Sequence, residues 1–403
     1  MADTKALQPP FALKALTAGF VALWAIVAIF PLFWVAIMSF KLPLDALSSN
    51  PLNVIFGPVT RANAGGLSVM SLLIGLIALI AVYQLPVKFG KAIAAKLAIN
   101  GSMVVGWLLM AAGFLVGASV FLFIVLPAMV SLINAIISPI PLIGLLAKPV
   151  IGVTLEHYRA VWVQYEFYRN FMNSMMITFG VVTVSLTVGT LAAYGLARTK
   201  SNLAFWLLIG ALVFRALPHS VLVTGYIPVF INSREWLSPL WTSPVTGWFF
   251  NLFSPNAPSL YGQPLAIIIV LVSINQPFTI WMMRSFFMNI PNELDEAARV
   301  DGCTHFGAFW RVIMPVMWPG VITTGLFSFL LAYNDYLVTA LLLDAQSQTM
   351  VPAISQYLNR DTKLSDQIEA IAAAVSITAP LFLLVMVFQK QIVSGLTAGA
   401  VKG

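Results

Sequence analysis

The chain has 403 residues, 60% of them hydrophobic and only 9% charged, with a formal net charge of +7 and a mean hydropathy of +0.93. That composition cannot make a water-facing surface of ordinary polarity, so it excludes a soluble globular protein and requires lipid around much of the chain. The basic residues stand singly at the ends of apolar runs, which excludes a nucleic-acid footprint and marks membrane topology instead.

One cysteine, Cys303, excludes an internal disulfide and a cysteine metal site. His157, His219 and His305 are too scattered for the zinc spacings, so no metal site is expected.

Lys5 and Lys14 precede an uncharged run over 15–40. The run exceeds the ~7 to 15 residue core of a cleavable signal and reads as a retained first span at 16–38. With about 20 apolar residues needed per crossing, further spans are expected at 67–83, 103–126, 171–196, 203–230, 265–286, 316–343 and 368–387. The fold class is therefore all-α, a polytopic transmembrane helical bundle of about eight spans.

The stretch between Lys96 and Lys148 is uncharged and long enough for two crossings. Placing Lys5, Lys14, Lys88, Lys91, Lys96, Arg198, Lys200, the 284–311 segment, Lys390 and Lys402 all on the cytoplasmic side admits only an odd number there. One crossing is expected, ended by Pro127, with Pro139 to Pro141 at the outer interface and both termini cytoplasmic. The outward segments are then 41–66, 130–170, 232–264 and 344–367. The third carries Trp236, Trp241, Trp248 and Tyr261, which suit either the membrane interface or a partner.

Between the sixth and seventh spans lies Glu296-Ala-Ala-Arg-Val-Asp-Gly302, then Cys303 to Arg311, then Val312-Ile-Met-Pro315. Pro291 and Gly302 bracket a short helix over 292–301, and Thr304 can cap a second helix running toward Pro315. Gly302 supplies the sharp turn between them. Ala297 and Ala298 are small enough to let the first helix sink into a groove of another protein, where Glu296 offers a charge to an arginine or a backbone donor. In an ordinary connector, Asp295 and Arg299 would instead form an exposed pair four residues apart.

This pattern resembles the signature loop of permease subunits of ATP-binding-cassette importers. The run from Met283 to Gly302, the later Asn334-Asp335-Tyr336 and the terminal Gly395 to Gly403 are similar to permeases of carbohydrate-uptake importers, particularly the G-type subunit of the maltose system. The resemblance implies a type I ABC importer permease fold with a six-span core. Its signature helix would be seated in an ATPase cleft through Glu296, Ala297, Ala298, Asp301 and Gly302, with Pro315 completing the pattern. The tail with Gly395, Leu396, Thr397, Gly399 and Lys402 would reach toward the ATPase dimer. Val312 and Met314 replace the usual isoleucine and leucine conservatively.

The resemblance covers 158–403 and the first span. The implied organisation is a cytoplasmic N-terminus and first span at 1–40, an inserted region with two extra spans at 41–157, a permease core at 158–388 with its coupling loop at 287–315, and a cytoplasmic tail at 389–403. Implied partners are a second homologous permease, an ABC ATPase dimer, an extracytoplasmic solute-binding protein, a sugar or polyol, and membrane lipid, with no nucleic acid. The implied location is the bacterial cytoplasmic (inner) membrane.

A passage for such solutes needs hydrogen-bond partners and aromatic faces inside an apolar bundle. Candidates are Asn275, Gln276, Thr279 and Trp281 in the sixth span and Tyr333, Asn334, Asp335 and Tyr336 in the seventh. Asp335 reads as an acid well inside a span, where it costs at least ~2.5 kcal/mol and faces a cavity or a partner; the alternative is that Asn334 and Asp335 bond a neighbouring helix. Pro218 is expected to kink the fifth span, with Arg215 bonding the freed carbonyl or Asp335, and His219 making an interhelical bond.

The chain has no Walker loop, so ATP and Mg are expected in a partner, with no cofactor and no catalysis here. The expected function is transport of a delivered solute by alternating access. An ion-coupled secondary transporter would need midplane ion sites, and a membrane enzyme would need clustered carboxylates at one interface.

Overall fold

Apolar helices account for most of the chain. The structure, a computed structural model, describes residues 10–97, 103–141, 143–199, 201–216, 218–252, 254–360 and 363–398. The chain divides into two units, Met1–Tyr158 with Lys363–Ala372 and Arg159–Thr362 with Ala373–Gly403.

The first unit begins with α1 (Phe11–Ser39), followed by α2 (Pro43–Ala46), α3 (Pro51–Phe56) and α4 (Pro58–Ala64). Each of the three short helices has a proline in its first turn, where a missing N–H costs no hydrogen bond. Strand β1 (Gly66–Ser68) pairs antiparallel with β2 (Pro149–Gly152). This short ladder is the exception to an all-helical reading. It requires glycine at Gly66, where a Cβ would lie 2.2 Å from the Ile151 carbonyl oxygen. Between the strands run α5 (Val69–Lys96), α6 (Met103–Val120) and α7 (Leu126–Ile137), a helical hairpin whose two feet the ladder ties together. Ser68 caps α5, and Asn134 reaches Ser68 and Ser71 across that base.

Pro127 does not end its helix as expected. A π-turn over Phe121–Val125 precedes it, with the Leu126 N–H donating five residues back to Phe121, so the ladder is re-registered just before the residue that cannot donate.

After α8 (Glu156–Arg159), the second unit contains α9 (Phe167–Arg198), α10 (Asn202–Arg215), α11 (His219–Ile231), α12 (Ser233–Thr242), α13 (Gly247–Asn251) and α14 (Pro264–Phe287). Then follow α15 (Glu293–Val300), α16 (His305–Ala308), α17 (Met314–Tyr333), α18 (Leu337–Leu342), α19 (Met350–Leu358) and α20 (Leu364–Ala398), whose residues up to Ala372 belong to the first unit. Among the described residues six helices are long and apolar enough to cross a membrane, over 11–39, 69–86, 167–198, 264–287, 305–333 and 364–389. Of the remaining two expected spans, the third is α6 continued into α7. The fifth is broken rather than kinked: Pro218 is extended (φ −57°, ψ 126°) between α10 and α11.

One core cluster packs Ile177 and Val181 of α9, Val223 of α11, Ile267 and Leu271 of α14 and Leu342 of α18. A second, with Ala193, Met283, Phe287, Phe309, Ile313 and Met317, lies under the signature hairpin. Helix α9 approaches α14 closely at Gly180 and Gly189, as small residues allow between helices in lipid.

The segment after α1 carries a buried polar knot. Lys41 donates to the Gly152 carbonyl, Asp45 accepts from the Thr60 N–H at 2.6 Å and hydroxyl at 2.7 Å, and the His157 ring donates Nε2–H to the Lys41 carbonyl at 3.1 Å. Burial holds His157 below its ordinary pKa against the raising pull of that carbonyl and of Glu156. Burial thus favours the neutral ring in the fold, while an unfolded histidine titrates at about 6.5. The stability that this neutral site represents is present above that pH and is lost as pH falls below it, because the unfolded chain takes up the proton first. Amide exchange over 41–65 and 149–158, corrected for its intrinsic pH dependence, is expected to accelerate between pH 7.5 and 5.5, and H157Q to flatten that response. Unchanged protection in the native protein across this range would exclude it.

Candidate functional site

The signature hairpin is built from local rules. Asn292 and Pro291 lead into α15, whose first turn carries Glu293, Asp295 and Glu296 and whose last turn carries Arg299, a distribution that complements the helix dipole. Asp301 closes the helix, Gly302 turns the chain at φ +88°, and the Thr304 hydroxyl accepts the Gly307 N–H to cap α16. The second arm does not stop at Pro315. A π-turn over Phe309–Ile313, with Met314 donating back to Phe309, carries it without interruption into α17. One 29-residue helix, His305–Tyr333, thus runs from the hairpin through the bundle, about 44 Å at 1.5 Å per residue.

The first arm is bolted to two membrane helices. Arg198, in the last turn of α9, places Nε at 2.9 Å and Nη2 at 2.7 Å from the Asp295 carboxylate. Its Nη1 donates to the carbonyls of Phe287, the last residue of α14, at 3.4 Å and of Ile290, three residues beyond it, at 3.2 Å. Tyr194, one turn earlier, donates to the other Asp295 oxygen at 2.5 Å. Asp295 therefore pairs with Arg198 and not with Arg299, as an ordinary connector would have it. Sequence reading missed Tyr194 altogether and used Arg198 only for topology; their spacing of four on one helix face was the available signal.

Of the signature residues, Glu296, Ala297, Asp301, Gly302 and Pro315 are exposed. Ala298 is not: at 5% exposure it is turned inward, so its small side chain seats α15 on its own hairpin. The outer surface instead carries Val300 at 87%, Phe306 at 68% and Trp310 at 61% exposure. Beside them a cleft of about 360 Å³ is lined by Tyr194, Arg198, Asp295, Glu296, Arg299 and His305. Gly395, Leu396 and Thr397 continue α20 and are not a separate tail, with side chains outside those described; Gly399 and Lys402 lie outside the described residues.

The pathway candidates separate into two groups. Asn275 is 1% exposed and donates to Ser328 at 2.7 Å and Thr279 at 3.1 Å, a buried polar lock between α14 and α17. Tyr333 is equally buried and donates to the Ile377 carbonyl at 2.7 Å. Gln276 donates to Ser185 of α9 at 3.4 Å, while Trp281, Asn334 and Tyr336 are exposed.

Asp335 lies just beyond the long apolar helix rather than within it. Helix α17 ends at Tyr333, and the Asp335 carboxylate, one residue before the N-cap Tyr336, accepts the Thr339 N–H in the first turn of α18 at 3.0 Å. A polar residue there satisfies a helix start that an apolar one would leave bare. Arg215 lies with its guanidinium 4.6 Å from the Phe278 ring, packing α10 on α14. The His219 side chain is outside those described. Buried acids absent from the sequence reading, Asp366 and Glu369, occupy the start of α20.

A multi-pass apolar bundle whose long helix projects a braced hairpin beyond its end has the architecture of a membrane permease. The chain belongs to the family of binding-protein-dependent transport system inner membrane components, which matches residues 185–397. It is similar to the diacetylchitobiose uptake system permease protein DasC of Streptomyces coelicolor, 31% identical over 253 residues, 62% of this chain and 82% of the relative. It is also similar to the trehalose transport system permease protein SugB of Mycobacterium tuberculosis, 29% identical over 62% of this chain and 83% of the relative. Among solved structures, a bacterial alginate ABC transporter in complex with an alginate pentasaccharide-bound periplasmic protein matches at a TM-score of 0.46 and 16% identity, covering 70% of this chain and 92% of that one.

Proposed function

We propose that this chain is the membrane-spanning permease subunit of an ATP-driven importer for a sugar or sugar alcohol delivered by an extracytoplasmic binding protein. A second, homologous permease would complete the pathway, and a separate ATPase dimer would supply the work, with ATP and Mg held there. The protein would lie in the bacterial cytoplasmic membrane with both termini inside, and 41–157 would be an insertion into the first-span-plus-core plan. The sugar class rests on the relatives, which carry disaccharide uptake in their names.

The observation that carries the coupling is the continuity of His305–Tyr333 with the hairpin, together with the Arg198–Asp295 brace. Force applied to Phe306 and Trp310 would act on that continuous helix, and force on Glu296, Ala297 and Val300 would act on the braced arm α15. Such force would reach α17 directly and α9 and α14 through the brace, rocking the bundle between inward-open and outward-open states. Gly395, Leu396 and Thr397 at the end of α20, with Gly399 and Lys402 after them in the sequence, would contact the ATPase. With Asn275, Thr279 and Tyr333 engaged inside the protein, solute contact falls to Gln276, Trp281, Asn334 and Tyr336.

Purified complex, reconstituted with its ATPase and binding protein, tests this directly. E296A removes the exposed charge and G302V forces a branched residue into a positive φ, at a cost of about 1–3 kcal/mol. Both are expected to lower solute-stimulated hydrolysis and uptake together, with bundle stability retained. Fully coupled transport in both variants would overturn the assignment.

A further inference from the structure

The hairpin of α5 and α6–α7 lies before the family match begins at residue 185. Between α5 and α6 it holds an apolar groove of about 300 Å³, with Leu85, Phe89 and Ile93 on one wall and Leu109, Met110 and Phe114 on the other. No lining residue is polar. Helix α5 continues past Pro86 to Lys96, so the groove lies along its C-terminal half. There the helix carries Lys88, Lys91 and Lys96, all exposed. Lys96 stands three residues beyond Ile93 and seven beyond Phe89, on the groove's own face, and Lys88 stands one turn beyond Leu85.

We infer that this groove is a binding site for an anionic phospholipid of the bilayer, one acyl chain lying between α5 and α6 and the phosphate held by Lys96 with Lys88 at its flank. The walls offer dispersion contacts and nothing else, which suits a chain of methylene groups. The lysines place fixed positive charge where the headgroup of that molecule would lie, their long stems reaching along the apolar surface. A second helix packed here would bury the walls but gain nothing from a cation on the groove face.

Full-length protein in phosphatidylcholine vesicles containing phosphatidylglycerol with a diazirine in its acyl chain supplies the test, with adducts mapped by peptide mass spectrometry. Adducts are expected within 85–114, competed by unlabelled phosphatidylglycerol and not by added phosphatidylcholine. K96E should reduce them about five-fold or more, the effect of one lysine at an anionic surface, and K96R should restore them. At Gly113, also lining the groove, an added Cβ meets nothing within 4 Å. G113L therefore fills the space without a backbone clash and should remove the adducts while leaving helical circular dichroism intact. Equal labelling by a phosphatidylcholine probe, insensitivity to both K96E and G113L, or protein–protein crosslinks in place of lipid adducts would each overturn the proposal.

Discussion

Substituting Arg198 with alanine is expected to uncouple the transporter while leaving its spans in the membrane. The substitution leaves the Asp295 carboxylate without its cation and frees the Phe287 and Ile290 carbonyls at and just beyond the end of α14. Loss of a partner in a fully buried pair costs ~3–5 kcal/mol. Here the side chains retain 18% and 14% exposure, so about 2–3 kcal/mol is expected, with solvent screening the remainder. Since about 1.4 kcal/mol is a tenfold change in an equilibrium constant, the balance between braced and unbraced hairpin should shift more than tenfold toward the unbraced form.

Solute uptake should fall at least about tenfold, and hydrolysis by the partner should cease to respond to loaded binding protein. R198K should fall in between, because an ammonium cannot serve the carboxylate and both carbonyls with one planar fork. D295N should resemble R198A, and the double variant should cost less than the sum of the two, the signature of a direct pair. Retained solute-dependent hydrolysis and full uptake in R198A would show that the brace carries no force.

The largest stability loss is expected from G189L. A Cβ at Gly189 would lie 2.5 Å from Cγ2 of Thr279 and 3.1 Å from Nε2 of Gln276. Thr279 is β-branched and its hydroxyl is tied to the Asn275 carbonyl at 3.2 Å, so it cannot swing aside without breaking the lock to Ser328. The helices must therefore separate, at about 1–3 kcal/mol for overpacking and more where the polar lock opens. Helices in lipid are held by this close contact rather than by a hydrophobic drive, so little compensates. The melting temperature in detergent should drop clearly for G189L and less for G189A. G195L, where an added Cβ meets nothing within 4 Å on the same helix, should leave it unchanged. Equal melting of G189L and G195L would contradict the close-packed interface.

The sequence alone determined the membrane environment, the approximate positions of the crossings and the two-armed hairpin. Each of these is written in one dimension: hydropathy is a local sum, and Pro291, Gly302 and Thr304 act on backbone within a few residues of themselves. A proline, read the same way, signals a stop. Only the folded backbone showed that π-turns before Pro127 and Pro315 let the helices continue, which makes the hairpin's second arm the end of a single rod.

Tertiary structure likewise decided which polar residues serve the bundle. Asn275 answers to Ser328, 53 residues away, and Asp295 to Arg198, 97 residues away, partners no local pattern can choose. A carboxylate takes the cation that packing brings within reach in a half-desolvated place, where its attraction is strongest. The nearer arginine, Arg299, stays exposed in solvent, where pairing gains little.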